Sequence, residues 1–328
     1  MKLLITGGLG FIGSNFILRV SKNNPKFSVT NVDAEFIGSD HRNLEELKNS
    51  PNYKFVKGNI TNKTLMEKLI EDNDCILNFA AESFVDRSIL DANQFLVSNI
   101  RGTYTILEIL RKQKKRLIQI STDEVFGSLN TGSADEFSRF NPSNPYAATK
   151  ASAELLVNSY INTYDLDCVI TRCTNNYGPR QFYEKLIPKT IFLANQNKKI
   201  PIYGKGQNIR DWIFVDDHCD AVFKVLEDGK QGESYNISSN NEIDNLSIVK
   251  KILELLNKSS DLIEFVTDRP GHDLRYSLNS SKIQNSLKWK PLTSFNDGIQ
   301  KTIDWILDNS KGENIPGDIL SSTPWKNN

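Results

Sequence analysis

The chain has 328 residues, long enough for one large domain or two moderate ones with sizeable cores. Hydrophobic residues make up 38% and charged residues 24%, with 40 Lys and Arg against 40 Asp and Glu, so no net field recruits nucleic acid or a membrane surface. No apolar run reaches the roughly 18 residues that span a bilayer, and the opening MKLLITGG turns glycine-rich too soon for a signal peptide, so a cytoplasmic protein is expected.

In the first half, six short apolar runs read as strands: KLLIT (2–6), SVTNV (28–32), YKFVK (53–57), CILNF (75–79), RLIQI (116–120) and DCVITR (167–172). Helical patterns between them begin near Phe11, Asn43, Lys63, Asp91 and Pro145. This alternation predicts a parallel sheet covered on both faces. Past about residue 174 the pattern is less regular, with helices predicted over 186–195, 216–227, 245–257 and 294–308 and a short strand, KIPIY, over 199–203. No repeat, low-complexity tract or Pro/Gly/Ser linker separates the halves, so the second should pack directly on the first.

Cys75, Cys168, Cys173 and Cys219 lack metal-type pairing and lie mostly in apolar surroundings, as reduced core thiols do. His41, His218 and His272 are too scattered along the chain to suggest a metal site, and no metal is expected.

TGGLGFIG (6–13) follows the first strand and opens the first helix. Its spacing, Gly7-x-x-Gly10-x-x-Gly13, is a variant of the dinucleotide fingerprint, in which glycines permit a tight turn, backbone approach to a pyrophosphate and close helix packing. The helix N-terminus then offers free N–H groups and a positive dipole end to phosphate. Asp33 ends the second strand, where a carboxylate accepts from ribose hydroxyls and repels a 2′-phosphate, which favours NAD over NADP; the nearby Arg42 weighs the other way. The expected fold is therefore α/β, a Rossmann-type doubly wound parallel sheet with a smaller α/β substrate-binding domain. The NAD-binding domain is expected over 1–173, also receiving about 210–235, with the smaller domain over 174–209 and 236–328.

NPYAATKASAELLV (144–157) carries Tyr146 and Lys150 at i, i+4, which a helix places on one face about one turn apart. An ammonium beside a phenol is expected to stabilise the phenolate and lower a pKa of about 10, so that the tyrosine can take a proton from an alcohol. The pair alone is common on solvated helix faces. Its company here is the glycine motif and STDEVFG (121–127), where a strand gives way at once to Thr122, Asp123 and Glu124. Two neighbouring carboxyls in a desolvated pocket tend toward one neutral and one ionised group, although capping a turn would suit them too.

Together these features resemble the extended short-chain dehydrogenase/reductase superfamily. AAESFVDRSI (80–89), STDEVFG (121–127), NPYAATKASAE (144–154), RCTNNYGPRQFYEKLIP (172–188), PIYGKGQNIRDWIFVDDHCDA (201–221) and DRPGHDLRY (268–276) narrow the likeness to the dTDP-glucose 4,6-dehydratase family, in order from residue 1 to about 308. The resemblance implies an NAD-dependent enzyme of deoxysugar biosynthesis, of the rhamnose kind. In that family C4 of a nucleotide-linked glucose is oxidised, water is eliminated across C5 and C6, and C6 is reduced again, giving a 4-keto-6-deoxy sugar. Matching by motif makes Tyr146 the base of the oxidation, Lys150 its electrostatic partner, and Thr122 the binder of the C4 oxygen. Asp123 becomes the acid of the elimination and Glu124 its base.

The same resemblance places Gly7, Gly10, Phe11, Ile12, Gly13, Asp33, Asn59, Ile60, Ala80, Ala81, Ser98 and Asn176 around NAD, with Tyr146 and Lys150. It places Ser83, Asn175, Glu184, Lys185, Leu186, Arg210, Asn245, Arg269 and His272 around the nucleotide sugar, and it implies a homodimer joined by helices near 91–112 and 145–164. Nucleotide-sugar 4-epimerases generally lack the two acids, and decarboxylases and GDP-mannose dehydratases look like Thr-Ser-Glu there. UDP-glucose 4,6-dehydratases share Thr-Asp-Glu and stay open as an alternative, with a 4-epimerase or decarboxylase more distant. The chain departs from the usual pattern at Asn59 (usually Asp), Phe84 (His), Phe126 (Tyr) and Tyr183 (Pro), and in a longer loop after Asp33.

Overall fold

The structure, a computed structural model, describes residues 1–309 and Leu320. Its strands are β1 (Lys2–Thr6), β2 (Ser28–Asp33), β3 (Tyr53–Lys57), β4 (Cys75–Asn78), β5 (Arg116–Thr122), β6 (Cys168–Cys173), β7 (Asn175–Tyr177), β8 (Ile200–Tyr203), β9 (Ile209–Phe214), β10 (Ser234–Ile237), β11 (Glu242–Asp244) and β12 (Ile263–Val266). Seven of them form one sheet in the order β10-β6-β5-β4-β1-β2-β3, and every pairing in it is parallel. This is a Rossmann-type doubly wound sheet.

The central strands are buried along most of their length because helices cover both faces. Leu3 and Ile5 face Phe16, Ile17 and Val20 of helix Phe11–Asn23 and Val222 and Val225 of helix Val215–Asp228. Leu4 and Ile76 face the other way, onto Met66, Ile106, Leu110 and Val157 of helices Lys63–Glu71, Gly102–Gln113 and Pro145–Tyr164. Chain order reverses at β1, which lies between β2 and β4. A crevice opens at such a point, outside the carboxyl ends of the strands. The glycine turn, Asp33 and Thr122 all lie at those ends.

β11, β9 and β7 form a three-stranded sheet, and β12 pairs with β8. The three-stranded sheet has a separate core, built on Tyr177, Ile187, Trp212, Phe214, Ile248 and Ile303, and the β8–β12 pair packs on Leu193, Val249 and Leu253. Within the stretch 210–235, β9 thus lies in the small sheet, while the helix after it packs on the large one and β10 extends the large sheet's edge. Of the stretch 236–328, residues 310–319 and 321–328 lie outside the described residues. Among those described, no helix is long and apolar enough to cross a membrane. The four cysteines are buried free thiols.

Two predicted helices differ. The one near Asn43 is a 3-10 turn, His41–Leu47, broken at Leu44, and the Asn43 side-chain amide donates across to the Leu9 carbonyl at 3.0 Å. The one from Asp91 starts later. Asp91 is extended, ending a short helix Val85–Leu90, and its side chain caps the backbone N–H of Asn93 at 2.8 Å. A π turn, Leu96–Arg101, then leads into Gly102–Gln113. Strands β7, β9, β10, β11 and β12 span three to six residues each, too few for periodicity to show.

Candidate active site

Two adjoining cavities occupy the crevice and the space between the two cores, of about 290 and 180 Å³. Every residue expected around the dinucleotide lines the larger one, together with Thr122, Asp123 and Ser83. Glu184, Leu186, Arg210, Asn245, Arg269 and His272 line the smaller. Glu124, Asn175, Asn176 and Lys185 border both, so Glu124 stands at the junction.

The larger cavity begins at the glycine turn. Gly7 has φ +68°, and a Cβ there would lie 2.6 Å from the Ala80 Cα. A Cβ on Gly13 would lie 2.5 Å from the Gly7 carbonyl oxygen, so only glycine lets the helix sit this close to the turn. Gly10 caps that helix without a side chain, and the first helical turn carries no acid to compete for an anion. Asp33 lies beyond, its carboxylate accepting from Leu9 N at 3.0 Å, Glu35 N at 2.8 Å and Ser39 Oγ at 2.9 Å. Those bonds fix its direction and leave acceptor capacity for another hydroxyl. Arg42 is turned to Asp40, its Nε 2.9 Å from Oδ2, rather than to Asp33. Asn59 uses its side-chain oxygen to hold Thr61 at 2.8–2.9 Å. These features fit a dinucleotide: a cradle that a Cβ would fill, an uncapped helix start and an oriented carboxylate.

The proton-handling groups meet where β5 ends. Thr122 Oγ1 donates to Asp123 Oδ1 at 3.1 Å, while Asp123 Oδ2 is buried without a partner. Burial above all, then the negative charge of Glu124, hold the Asp123 carboxyl well above the usual carboxylate range, which favours its protonated form. Glu124 Oε2 accepts from Asn144 Nδ2 at 3.3 Å. Tyr146, hydrogen-bonded to Thr122, is also pushed well above its ordinary value, by burial and then by Glu124. That reverses the expectation that Lys150 lowers it. The Lys150 ammonium donates instead to the Ile120 carbonyl at 2.6 Å, and burial brings its own pKa down to about 8. The helix does put both residues on one face, but a nearby carbonyl takes the ammonium.

In the smaller cavity, the Arg210 guanidinium is buried and held by the Ile209 and Asp273 carbonyls at 2.7 and 2.9 Å. Arg269 pairs with Asp86 at 3.2 Å, and its Nε is buried without a partner. His272 Nδ1 lies 2.6 Å from Asp268, yet burial takes its pKa down to about 4. Lys185 Nζ donates to the Ser83 carbonyl at 2.8 Å and sits 4.8 Å over the Phe84 ring. Glu184 is turned to Arg87 at 2.9 Å. Asp86, Tyr203, Asn144, Asp273 and Tyr276 also belong to these contacts and were not picked out from sequence. All five stand inside quoted segments (80–89, 144–154, 201–221, 268–276) and carried a signal, but only the fold brings them to the cavity.

The departures acquire physical reasons. Phe84 meets Phe182 edge-on at 5.5 Å, and Gly38 of the longer loop approaches its ring, so two unusual features pack on each other. Phe126 is buried beside Phe140, with Arg172 5.2 Å over its ring and in turn paired with buried Glu154 at 2.7 Å. Position 126 is thus a core contact, away from the two cavities.

A family model for GDP-mannose 4,6 dehydratase matches residues 4–302. A low-salt glycan biosynthesis protein of Haloferax volcanii is 47% identical, over 94% of this chain and 99% of that protein. The dTDP-glucose 4,6-dehydratase of Mycobacterium tuberculosis is 42% identical, over 94% of each chain. The crystal structure of DesIV, a dTDP-glucose 4,6-dehydratase from Streptomyces venezuelae with NAD and TYD bound, superposes with a TM-score of 0.92 at 40% identity, covering 95% of this chain and 98% of that one. With the glycine turn, the Thr122-Asp123-Glu124 end of β5 and Tyr146-x-x-x-Lys150 in one crevice, the chain belongs to the dTDP-glucose 4,6-dehydratase family, within the wider GDP-mannose 4,6 dehydratase family.

Proposed function

We propose that the protein is an NAD-dependent dTDP-glucose 4,6-dehydratase of the cytoplasm, turning the nucleotide-linked glucose into its 4-keto-6-deoxy form. One observation carries the reading: a buried carboxyl pushed toward its protonated form, Asp123, adjoins a second carboxyl, Glu124, beside Thr122 and Tyr146. Oxidation and re-reduction at C4 alone need no such pair, whereas elimination of water needs a proton donor and an acceptor together.

NAD, when bound, supplies a reversible two-electron acceptor for the sugar carbons. Gly7, Gly10 and Gly13 would hold its pyrophosphate side, Asp33 its ribose, and Tyr146, Lys150 and Asn176 the end near the sugar. Thr122 orients the C4 oxygen and Tyr146 takes its proton. Glu124 removes the proton at C5, which the C4 ketone has acidified, and Asp123 protonates the departing C6 oxygen. Arg210 and Arg269 suit the diphosphate by charge and geometry. In this reading the body built on the seven-stranded sheet serves NAD, and the smaller body serves the nucleotide sugar.

Purified protein given dTDP-glucose, with no added reductant, should release a product lighter by one water. Unchanged sugar with both dTDP-glucose and UDP-glucose would sink the reading, and the ratio of kcat/KM on the two decides the nucleotide. A homodimer through the helices near 91–112 and 145–164 is part of the same proposal. Leu96, Tyr104 and Leu155 support it, 49%, 47% and 59% exposed on those helices. Sedimentation should give twice the chain mass; a monomer at micromolar concentration would refute it.

A further inference from the structure

Glu124 touches two groups that the proton chemistry above does not use. Asn144 Nδ2 donates to Glu124 Oε2 at 3.3 Å, and the Tyr276 hydroxyl lies 3.4 Å from the same oxygen. Tyr276 is 2% exposed, and its hydroxyl donates to Asp273 Oδ2 at 2.5 Å. The other Asp273 oxygen accepts from Ser143 Oγ at 2.6 Å. Ser143 precedes Asn144, the cap of the helix that carries Tyr146. The contacts therefore close a ring running from Glu124 through Asn144, Ser143, Asp273 and Tyr276 back to Glu124. The Arg210 guanidinium covers the Tyr276 ring face, 4.2 Å from its centre.

A phenol has one proton to donate. With that proton held by Asp273, Tyr276 presents a lone pair to Glu124, which an ionised carboxylate cannot use and a protonated one can. Asn144 is the complement, a donor that serves the ionised form. We propose that Tyr276 is a positioning residue of the elimination, accepting a hydrogen bond from Glu124 once Glu124 has taken the C5 proton. The inference rests on the dehydratase reading above. In the step, the C5 proton passes to Glu124 and its bonding pair becomes the C5–C6 double bond. The C6 oxygen leaves with the proton of Asp123, and the Tyr276 proton stays with Asp273. The 3.4 Å contact then tightens, as catalytic hydrogen bonds that are long in a resting site commonly do.

Tyr276→Phe keeps the ring under Arg210 and removes the hydroxyl alone. The expected result is a kcat for water loss down about 10- to 100-fold, with KM and single-turnover C4 oxidation within about twofold of wild type. Solvent deuterium incorporation at C5 should fall in step. In a Glu124→Gln background the same change should remove less than about twofold of the residual rate, because the group it serves is gone. A melting curve identical to wild type confirms the fold. Oxidation and elimination slowed alike, a kcat within about twofold of wild type, or a fully additive loss in the Glu124→Gln background overturns the proposal. Wild-type protein that oxidises C4 and releases no water defeats the dehydratase reading itself, and this inference falls with it.

Discussion

Tyr146→Phe is expected to slow C4 oxidation by about 10²- to 10⁴-fold, the contribution of a well-placed general base. The phenol is the one titratable hydroxyl bonded to Thr122 at the end of β5, and it reaches there from a helix whose start is fixed by the Asn144 cap. Removing its oxygen leaves the ring, and with it the edge-on contact to Phe95 at 6.4 Å, so the fold should hold. Because burial and Glu124 push the phenol up, its base form gains ground only as pH rises. Wild-type oxidation should therefore speed up with pH, and the residual rate of the Phe variant should lack that rise. Stopped-flow absorbance of cofactor reduction measures both. A near-native rate in the variant would mean that another group is the base.

Glu124→Gln is expected to let oxidation proceed and stop the reaction there. Gln preserves size and can still meet Asn144, but it cannot take a proton, so water loss should drop about 10²- to 10⁴-fold. Reduced cofactor should accumulate, and no solvent deuterium should enter at C5. Unaltered deuterium incorporation would refute the role given to Glu124. Its neighbour sets the opposite limb of the pH profile. Asp123 must be protonated to act, and its raised pKa keeps it so; water loss should fail as pH rises through that value, while the variant's oxidation should not. A profile of water loss that keeps rising to high pH would argue against Asp123 as the acid.

The local signals could be read along the chain because each depends on neighbours in sequence. Glycines three apart, a carboxylate closing the next strand, Tyr146 four residues before Lys150, and two acids after an apolar run are all short-range patterns, and each of these residues lines one of the two cavities. Short-range reasoning failed where a distant group intervened. It paired Lys150 with Tyr146, whereas the Ile120 carbonyl, thirty residues away, takes the ammonium at 2.6 Å. It began a helix near Asn43, where the chain instead makes a 3-10 turn broken at Leu44 and the Asn43 side chain reaches the Leu9 carbonyl. It left Phe126 without a purpose, since Arg172 reaches it only once β6 lies beside β5, and Phe140 only once the loop before the helix Pro145–Tyr164 folds back.

By itself, then, the sequence determined the alternation of strand and helix, the dinucleotide turn and the types of the carboxyl, phenol and hydroxyl groups brought to the crevice, all of which are written in residue type and spacing. Tertiary structure alone decided their protonation and aim. Asp123 is pushed toward its protonated form because the folded chain removes water from around it and holds the Glu124 charge beside it. Tyr276 reaches Glu124, and Asp273 reaches Ser143, from more than a hundred residues away along the chain. A pKa depends on the dielectric and charges within a few ångströms, and those neighbours are assembled only by folding.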